Sequence, residues 1–346
     1  MKQQLRQVKS RRLLLDAGIV AAAIILIAAG GTWAYLHARS HTPSRTTYTI
    51  TTGLIGEYAA PIRIAQHQGY FAQHGLHVTI KEYSSGPAAV ADVLNGTIDT
   101  AVASDFAGVS NMFAGQDIKI VANMSKSDAF SIVARKDHDV HNIDDLRQKR
   151  IGITEYTVGQ FYLGQFLALH NLRPQDITLV NMTQPELVSA VANGSVDAGV
   201  LFEPNAYAAK MALGSNAVSW SVQNGQSIYS LLYSSGNLAR KHPEILVRYM
   251  QAVLESEQFI QSHNEQTMQI ITHDLHYSPA YMTYIWPRFQ FATSLDQELL
   301  IDMENEANWA IDNGIAPQGA QLPNYLRFID LSPLLTIKPD AVTIIH

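Results

Sequence analysis

One passage of this sequence occurs twice. Asn95-Gly96-Thr97-Ile98-Asp99-Thr100-Ala101-Val102 returns as Asn193-Gly194-Ser195-Val196-Asp197-Ala198-Gly199-Val200, each time after an amphipathic stretch, PAAVADVL or PELVSAVA. An Asn-Gly that ends such a stretch reads as a left-handed helix cap, because glycine takes positive φ without a Cβ penalty. The apolar residues that follow read as a buried strand. Two copies of one helix–cap–strand unit predict two similar α/β lobes with about a hundred residues between equivalent points. A duplicated unit of this kind speaks to architecture and not to function.

The surrounding pattern agrees with that reading. Short β-branched runs stand at Tyr48–Thr52, Val78–Lys81, Thr100–Ala103, Ile118–Ala122, Arg150–Ile153, Thr178–Asn181, Ala198–Phe202 and Ser227–Tyr233. Helical stretches lie between them near 59–68, 86–95, 158–170, 184–193 and 204–212. Alternation of this kind predicts an α/β fold with mainly parallel sheets. After Ser235 the pattern turns helical, with a long amphipathic segment at 242–263 and further ones near 265–274, 278–289 and 295–313. Pro323, Pro333 and Pro339 then break the tail.

With 47% hydrophobic and 16% charged residues over 346 positions, the chain can fill more than one core. Its net charge is −6, and −11 once the five basic residues of the first twelve are set aside. An acidic body repels phosphate, so nucleic acid is not an expected partner. From Ala17 to Leu36 twenty residues carry no charge, enough for a helix of about 30 Å that crosses a bilayer. The basic end at 1–12 precedes the segment at 13–36, which predicts a cytoplasmic N-terminus and an exported body. The run is longer than the apolar region of a cleaved signal peptide, which favours an uncleaved anchor over that alternative. Ser10-Arg11-Arg12-Leu13-Leu14-Leu15 also resembles a twin-arginine export signal, with Asp16 as a departure. Residues 37–47 read as a polar linker. The absence of cysteine excludes disulfides, thiolate metal sites, a cysteine nucleophile and a lipidated cysteine.

In open α/β sheets, ligands sit at the carboxyl ends of strands, where helix N-termini present unpaired N–H groups. Four places fit. Ser84, Ser85 and Gly86 follow a strand and lead into a helix through Pro87, with Ser85 as N-cap. Tyr156, Thr157, Val158 and Gly159 form a second strand-to-helix turn. Ser104-Asp105 and Glu203-Pro204 follow the two repeated passages. Gly53, Glu57 and Tyr58 stand at the end of the first strand, where Glu57 could hold an amine and Tyr58 could stack. Each place has a structural reading as well, as a cap or as charge that complements a helix dipole.

Signatures of catalysis and cofactor binding are thin. There is no G-x-S-x-G, Walker loop or G-x-G-x-x-G after a strand, so no catalytic residue and no cofactor is assigned. The His-x-x-His pairs His74/His77, His138/His141 and His273/His276 lack the glutamate of H-E-x-x-H and read as solvated, so no metal is expected. Binding without covalent chemistry suits this chain best.

Four segments carry a family resemblance: GEYAAPIRIAQHQGYFAQHGLHVTI (56–80), SSGPAAVADVLNGTIDTAVAS (84–104), IDDLRQKRIGI (143–153) and VDAGVLFEPNAYAA (196–209). In that order they resemble extracytoplasmic solute-binding proteins of nitrate/sulfonate/taurine-type ABC importers. That group is similar to thiamine-pyrimidine-precursor binders and to a fungal pyrimidine synthase. The resemblance covers nearly all of 48–315. It implies a two-lobed periplasmic-binding-protein fold of type II, with ligand contacts at the positions matching Ser84–Gly86, Ser104, Thr157–Gly159 and Glu203. It implies as partners a small anionic or polar solute, an ABC permease and a cytoplasmic ATPase; the chain itself reads as a monomer, with the long apolar run as an anchor in place of the family's usual cleavable signal or lipidated cysteine. On this reading 48–132 and 235–346 form lobe 1 and 133–234 lobe 2, with crossings near Ser127–Ala134 and Tyr229–Ser235. The sequence departs from the family at Gln148, where glycine is common, and at Phe202, where tryptophan is. Two alternatives stay open: a pyrimidine-precursor binder, and a cleft enzyme with Glu57 or Glu203 as base. A sensor ectodomain is disfavoured by the short cytoplasmic end.

Overall fold

Both copies of the repeated passage adopt the same local structure. Gly96 and Gly194 take φ of 72° and 80° directly after their helices. The aspartates of the two copies then make the same bonds. Asp99 Oδ2 accepts from the Thr51 amide at 2.7 Å while its own N–H donates to Thr51 O at 2.9 Å. Asp197 does the same with Arg150, at 2.7 Å and 2.9 Å. The N-G-x-x-D passage thus ties the start of one parallel strand to its neighbour, and the motif is a sheet-building device.

The computed structural model describes residues 47–345. The basic end, the anchor or signal segment at 13–36 and the linker up to residue 46 lie outside the described residues. Among the described residues, no helix is long and apolar enough to cross a membrane. The strands are β1 (Tyr48–Leu54), β2 (Leu76–Glu82), β3 (Thr100–Ala103), β4 (Ile118–Ser127), β5 (Phe130–Arg135) and β6 (Arg150–Ile153). They continue with β7 (Thr178–Asn181), β8 (Ala198–Phe202), β9 (Ala217–Ser221), β10 (Ile228–Ser235) and β11 (Phe289–Ser294).

A six-stranded sheet runs β11-β4-β10-β3-β1-β2 and a five-stranded sheet runs β7-β6-β8-β5-β9. Each has a parallel trio with the earliest strand in the middle, extended by antiparallel strands. The principal helices are α1 (Ala60–His67), α2 (Gly86–Leu94), α3 (Asp105–Phe113), α4 (Val158–Leu169), α5 (Gln184–Asn193) and α6 (Asn205–Leu213). The C-terminal part adds α7 (Pro243–Ser262), α8 (Asn264–Asp274), α9 (Pro279–Ile285) and α10 (Gln297–Asp312). Buried Leu246, Tyr249, Met250 and Val253 of α7 belong to the core of the first sheet. Tyr249 also shares a hydroxyl contact with Thr52 at 3.0 Å.

Three strands differ from the sequence expectation. β5 and β9 pair with each other antiparallel at the edge of the second sheet. β9 (AVSWS) is half-exposed and short, so it carries little apolar signal. The expected helix over 278–289 stops at Ile285, ahead of Pro287, and the chain becomes β11. Proline cannot continue a helix, and Phe289 and Phe291 then pair with β4.

The chain leaves the first sheet after Ser127 and enters the second at Phe130; it returns between Ser221 and Ile228. The second crossing therefore lies upstream of Tyr229–Ser235, which forms most of β10. Gln223, fully buried, joins the two crossings. Its Oε1 accepts from the amides of Ala129 and Phe130 at 2.7 and 2.9 Å, and its Nε2 donates to Ser127 O at 2.9 Å. Gln148, where the family tends to glycine, takes φ of 63°. Such a backbone costs a non-glycine residue about 1 kcal/mol or more.

Candidate functional site

The carboxyl ends of the parallel strands of both sheets open onto one cleft of about 200 Å³. Four helices of nine to twelve residues begin there, α2, α3, α4 and α5, with Ser85, Ser104, Thr157 and Thr183 as their N-caps. Each N-terminus carries unpaired N–H groups and about half a positive charge. The hydroxyls of Ser85 and Ser104 make no capping bond to their own helices. Thr157 Oγ1 donates to Thr154 O at 2.7 Å and Thr183 Oγ1 to Glu186 at 2.8 Å.

Apolar side chains make up most of the remaining wall: Ile55, Val102, Phe130, Val158, Phe202 and Ile228. Phe202 lies 5.7 Å from the Phe130 ring and edge-on to Tyr58 at 6.4 Å. None of the lining side chains is charged. Three lining hydroxyls, Tyr58 Oη, Tyr229 Oη and Ser230 Oγ, are buried without a hydrogen-bond partner in the protein. A buried hydroxyl left unpaired costs about 1–3 kcal/mol. Tyr156 stands at the rim, 64% exposed, with φ of 60°.

Of the residues singled out in the sequence, Tyr58, Ser84, Ser85, Gly86, Ser104, Tyr156, Thr157 and Val158 line this cleft. Gly53, Glu57, Asp105, Gly159 and Glu203 do not. Gly53 lies under the Tyr83 ring, where a Cβ would meet a ring carbon at 2.9 Å. Gly159 backs onto Phe130, with 3.1 Å of room for a Cβ. The three acids turn away from the cleft. Glu57 accepts from Tyr277 at 2.8 Å and from Tyr281, so it is not free to hold an amine. Glu203 accepts from the Tyr207 amide at 2.9 Å, from Tyr284 at 3.0 Å and from Lys210 at 3.3 Å. Asp105 is buried behind Ser104.

Thr183, Gln184 and Pro185 line the cleft and were not singled out. The repeat contains their signal. Displaced by 98 positions, as Asn95 is to Asn193, Ser85-Gly86-Pro87 falls on Thr183-Gln184-Pro185, Ser104 on Phe202, and Tyr58 on Tyr156. All of these line the cleft. Phe130 and Ser230 lie on strands without a local motif.

Residues 57–267 match the protein family described as "NMT1/THI5 like", which is more than half of the chain. The chain belongs to the NMT1/THI5-like family. It is 22% identical over 286 residues to "Putative binding protein YtlA" of Bacillus subtilis, covering 79% of this chain and 84% of that protein. It is 22% identical over 210 residues to the taurine-binding periplasmic protein of Escherichia coli, covering 58% and 63%. The alkanesulfonate-binding protein SsuA of Xanthomonas axonopodis pv. citri, solved with MOPS bound, superposes with a TM-score of 0.71 at 17% identity, over 82% of this chain and 99% of that one. At that identity the likeness shows the fold, the two-lobed periplasmic-binding-protein architecture.

Among the described residues of this NMT1/THI5-like protein, no group of three or more histidines or carboxylates is gathered for a metal. His74 pairs with Glu255 and His138 with Asp197, both at 2.7 Å. The buried acids have a consequence for stability. Burial raises Glu57 and Glu306 above the usual carboxylate range, and raises Asp105 from 3.8 to about 7. The native state therefore holds protons that the unfolded chain releases near pH 4, and stability falls as pH rises from there through the folded values. Surface acids such as Asp137 and Asp176, lowered by hydrogen bonds to arginine, act oppositely and lose their contribution only below pH 4. Thermal melting should peak near pH 5 and decline toward pH 8, by on the order of 2 kcal/mol. A melting temperature that rises steadily from pH 5 to 8 would show that these acids are ionised in the native state.

Proposed function

We propose that this chain is the solute-binding component of an ABC importer, capturing a small anion with an uncharged organic body outside the cytoplasmic membrane. The observation that carries this reading is the convergence of four helix N-termini on one largely apolar cleft without a charged side chain. Helix N-termini, the free Ser85 and Ser104 hydroxyls, Tyr58 Oη and Ser230 Oγ would hold the anionic head. Phe130, Phe202 and Val158 would cover its body. The sulfonate and taurine ligands named for its relatives supply the class. The lobes would divide at the crossings pinned by Gln223, close over the ligand as a monomer, and dock on a permease with a cytoplasmic ATPase. The segment at 13–36 would keep the body at the membrane. The enzyme alternative needs a base, and the lining side chains include neither a carboxylate nor an imidazole.

The absence of an acid in the cleft sharpens the choice of ligand. An ammonium buried there would lack a counter-charge, which costs several kcal/mol. Taurine should therefore bind at least tenfold more weakly than propane-1-sulfonate, its near-isostere, and hexane-1-sulfonate should bind more tightly than either. Thermal shift of the full chain checks this, because a ligand at 100 times its Kd adds about 2.7 kcal/mol. If an aminopyrimidine shifted melting and no sulfonate did, the precursor-binding alternative would take its place. Mass spectrometry that found the ligand chemically altered would overturn the binding-protein reading.

A further inference from the structure

Directly behind Ser104 lies a pair of carboxyl groups that the cleft does not use. Asp105 opens α3, and its Oδ1 accepts from the Phe106 amide at 3.0 Å. Glu306 of α10 lines the same small void as Asp105, and its Oε2 is buried with no hydrogen-bond partner. Both residues are 1–2% exposed. They border a void of about 10 Å³ together with Tyr162 of α4, Asp302 of α10 and Ser227 beside the second crossing.

The charges acting on Glu306 are Asp105 and Asp302, both acidic. Lys126, the cation that acts on Asp302, is itself held by Glu298 at 2.6 Å and Asp296 at 3.4 Å. From β10, Tyr233 donates to Ser104 O at 2.8 Å. Tyr162 and Tyr233 are held protonated by burial. Two buried carboxyls on one void, whose titratable neighbours are acids and phenols, favour their protonated forms.

An ionised Asp105 would place a full negative charge at the helix N-terminus that the ligand needs positive. We propose that the Asp105–Glu306 pair sets the anion affinity of the cleft, taking up a proton from solvent when an anion docks at Ser104 and returning it when the anion leaves. This rests on the anion reading of the cleft. Proton and anion binding are then linked in both directions, each favouring the other. Burial already brings Asp105 to about 7, so the linkage operates near neutral pH.

The test is calorimetry of the full chain with hexane-1-sulfonate, whose head does not titrate, from pH 5.5 to 8.5 in buffers of different ionisation enthalpy. The expected result is uptake of up to one proton per ligand near pH 7.5 and a Kd that rises by up to tenfold per pH unit above pH 7. The variants Asp105→Asn and Asp105→Asn/Glu306→Gln should flatten the profile and bind at pH 8 as tightly as the wild type does at pH 6. A merely structural role would weaken binding in these variants. Binding to the wild type with no proton uptake and a flat Kd overturns the proposal and leaves the anion reading standing. No binding at any pH overturns both.

Discussion

Ser85→Asp is expected to lower hexane-1-sulfonate affinity about 100-fold while leaving the melting temperature unchanged or raised. Ser85 is the N-cap of α2 in an extended conformation, and its hydroxyl does not bond to the helix. Aspartate caps at least as well as serine and complements the dipole, so the helix gains from the substitution. The ligand loses, because a carboxylate about 5 Å from a bound anion repels it by about 3 kcal/mol at an effective dielectric near 20. That corresponds to about two orders of magnitude in Kd. Ser85→Asn keeps the capping oxygen and adds no charge, and should change affinity less than tenfold. Calorimetry and thermal melting on the same samples check both halves. Affinity retained within threefold in Ser85→Asp would mean that the cleft does not hold its ligand by an anionic head at α2.

The local rules that make Ser85 a cap are legible in the sequence, and so is most of the architecture. Each Asn-Gly predicted a positive-φ cap, and Gly96 and Gly194 provide it. The strand signals at 100–103, 150–153, 178–181 and 198–202 matched because those strands are short and bounded by helices with clear periodicity. Strand β9 escaped because a half-exposed edge strand alternates weakly, and β11 because the helix before it ends only two residues ahead of Pro287.

At the site, residues next to the backbone turns were legible and the roles of charged ones were not. Ser84–Gly86 and Thr157–Val158 reach the cleft because they sit where strands give way to helices. Glu57 and Glu203 stand at similar turns, yet their side chains face the other way. Their partners, Tyr277, Tyr281 and Tyr284, come from a segment more than seventy residues later. No local pattern encodes such a pairing. The 98-position displacement could have found Thr183–Pro185, since it carries one known wall of the cleft onto the other.

Those tyrosines carry the second large effect. Tyr277→Phe/Tyr281→Phe removes both phenolic donors to Glu57, a fully buried acid whose own residue directly precedes the cleft-lining Tyr58. Three residues along the same segment, Tyr284 donates to Glu203, directly before which Phe202 lines the opposite wall. The segment from Tyr277 to Tyr284 thus secures the backs of two aromatic walls contributed by different sheets. Stripping one acid of its donors leaves a buried carboxyl without those partners, which should lower unfolding stability by about 2–4 kcal/mol. Hexane-1-sulfonate binding should weaken as well, through Tyr58, which meets Phe202 and Phe289 edge-on. Adding Glu57→Leu to the double variant should recover more than half of the lost stability, because replacing every member of a buried polar cluster by apolar groups is far less costly than orphaning one. Chemical denaturation of the four proteins in that cycle measures the coupling directly. Strictly additive losses would mean that the hydroxyls and Glu57 contribute independently, and that the segment does not hold the cleft wall through this acid.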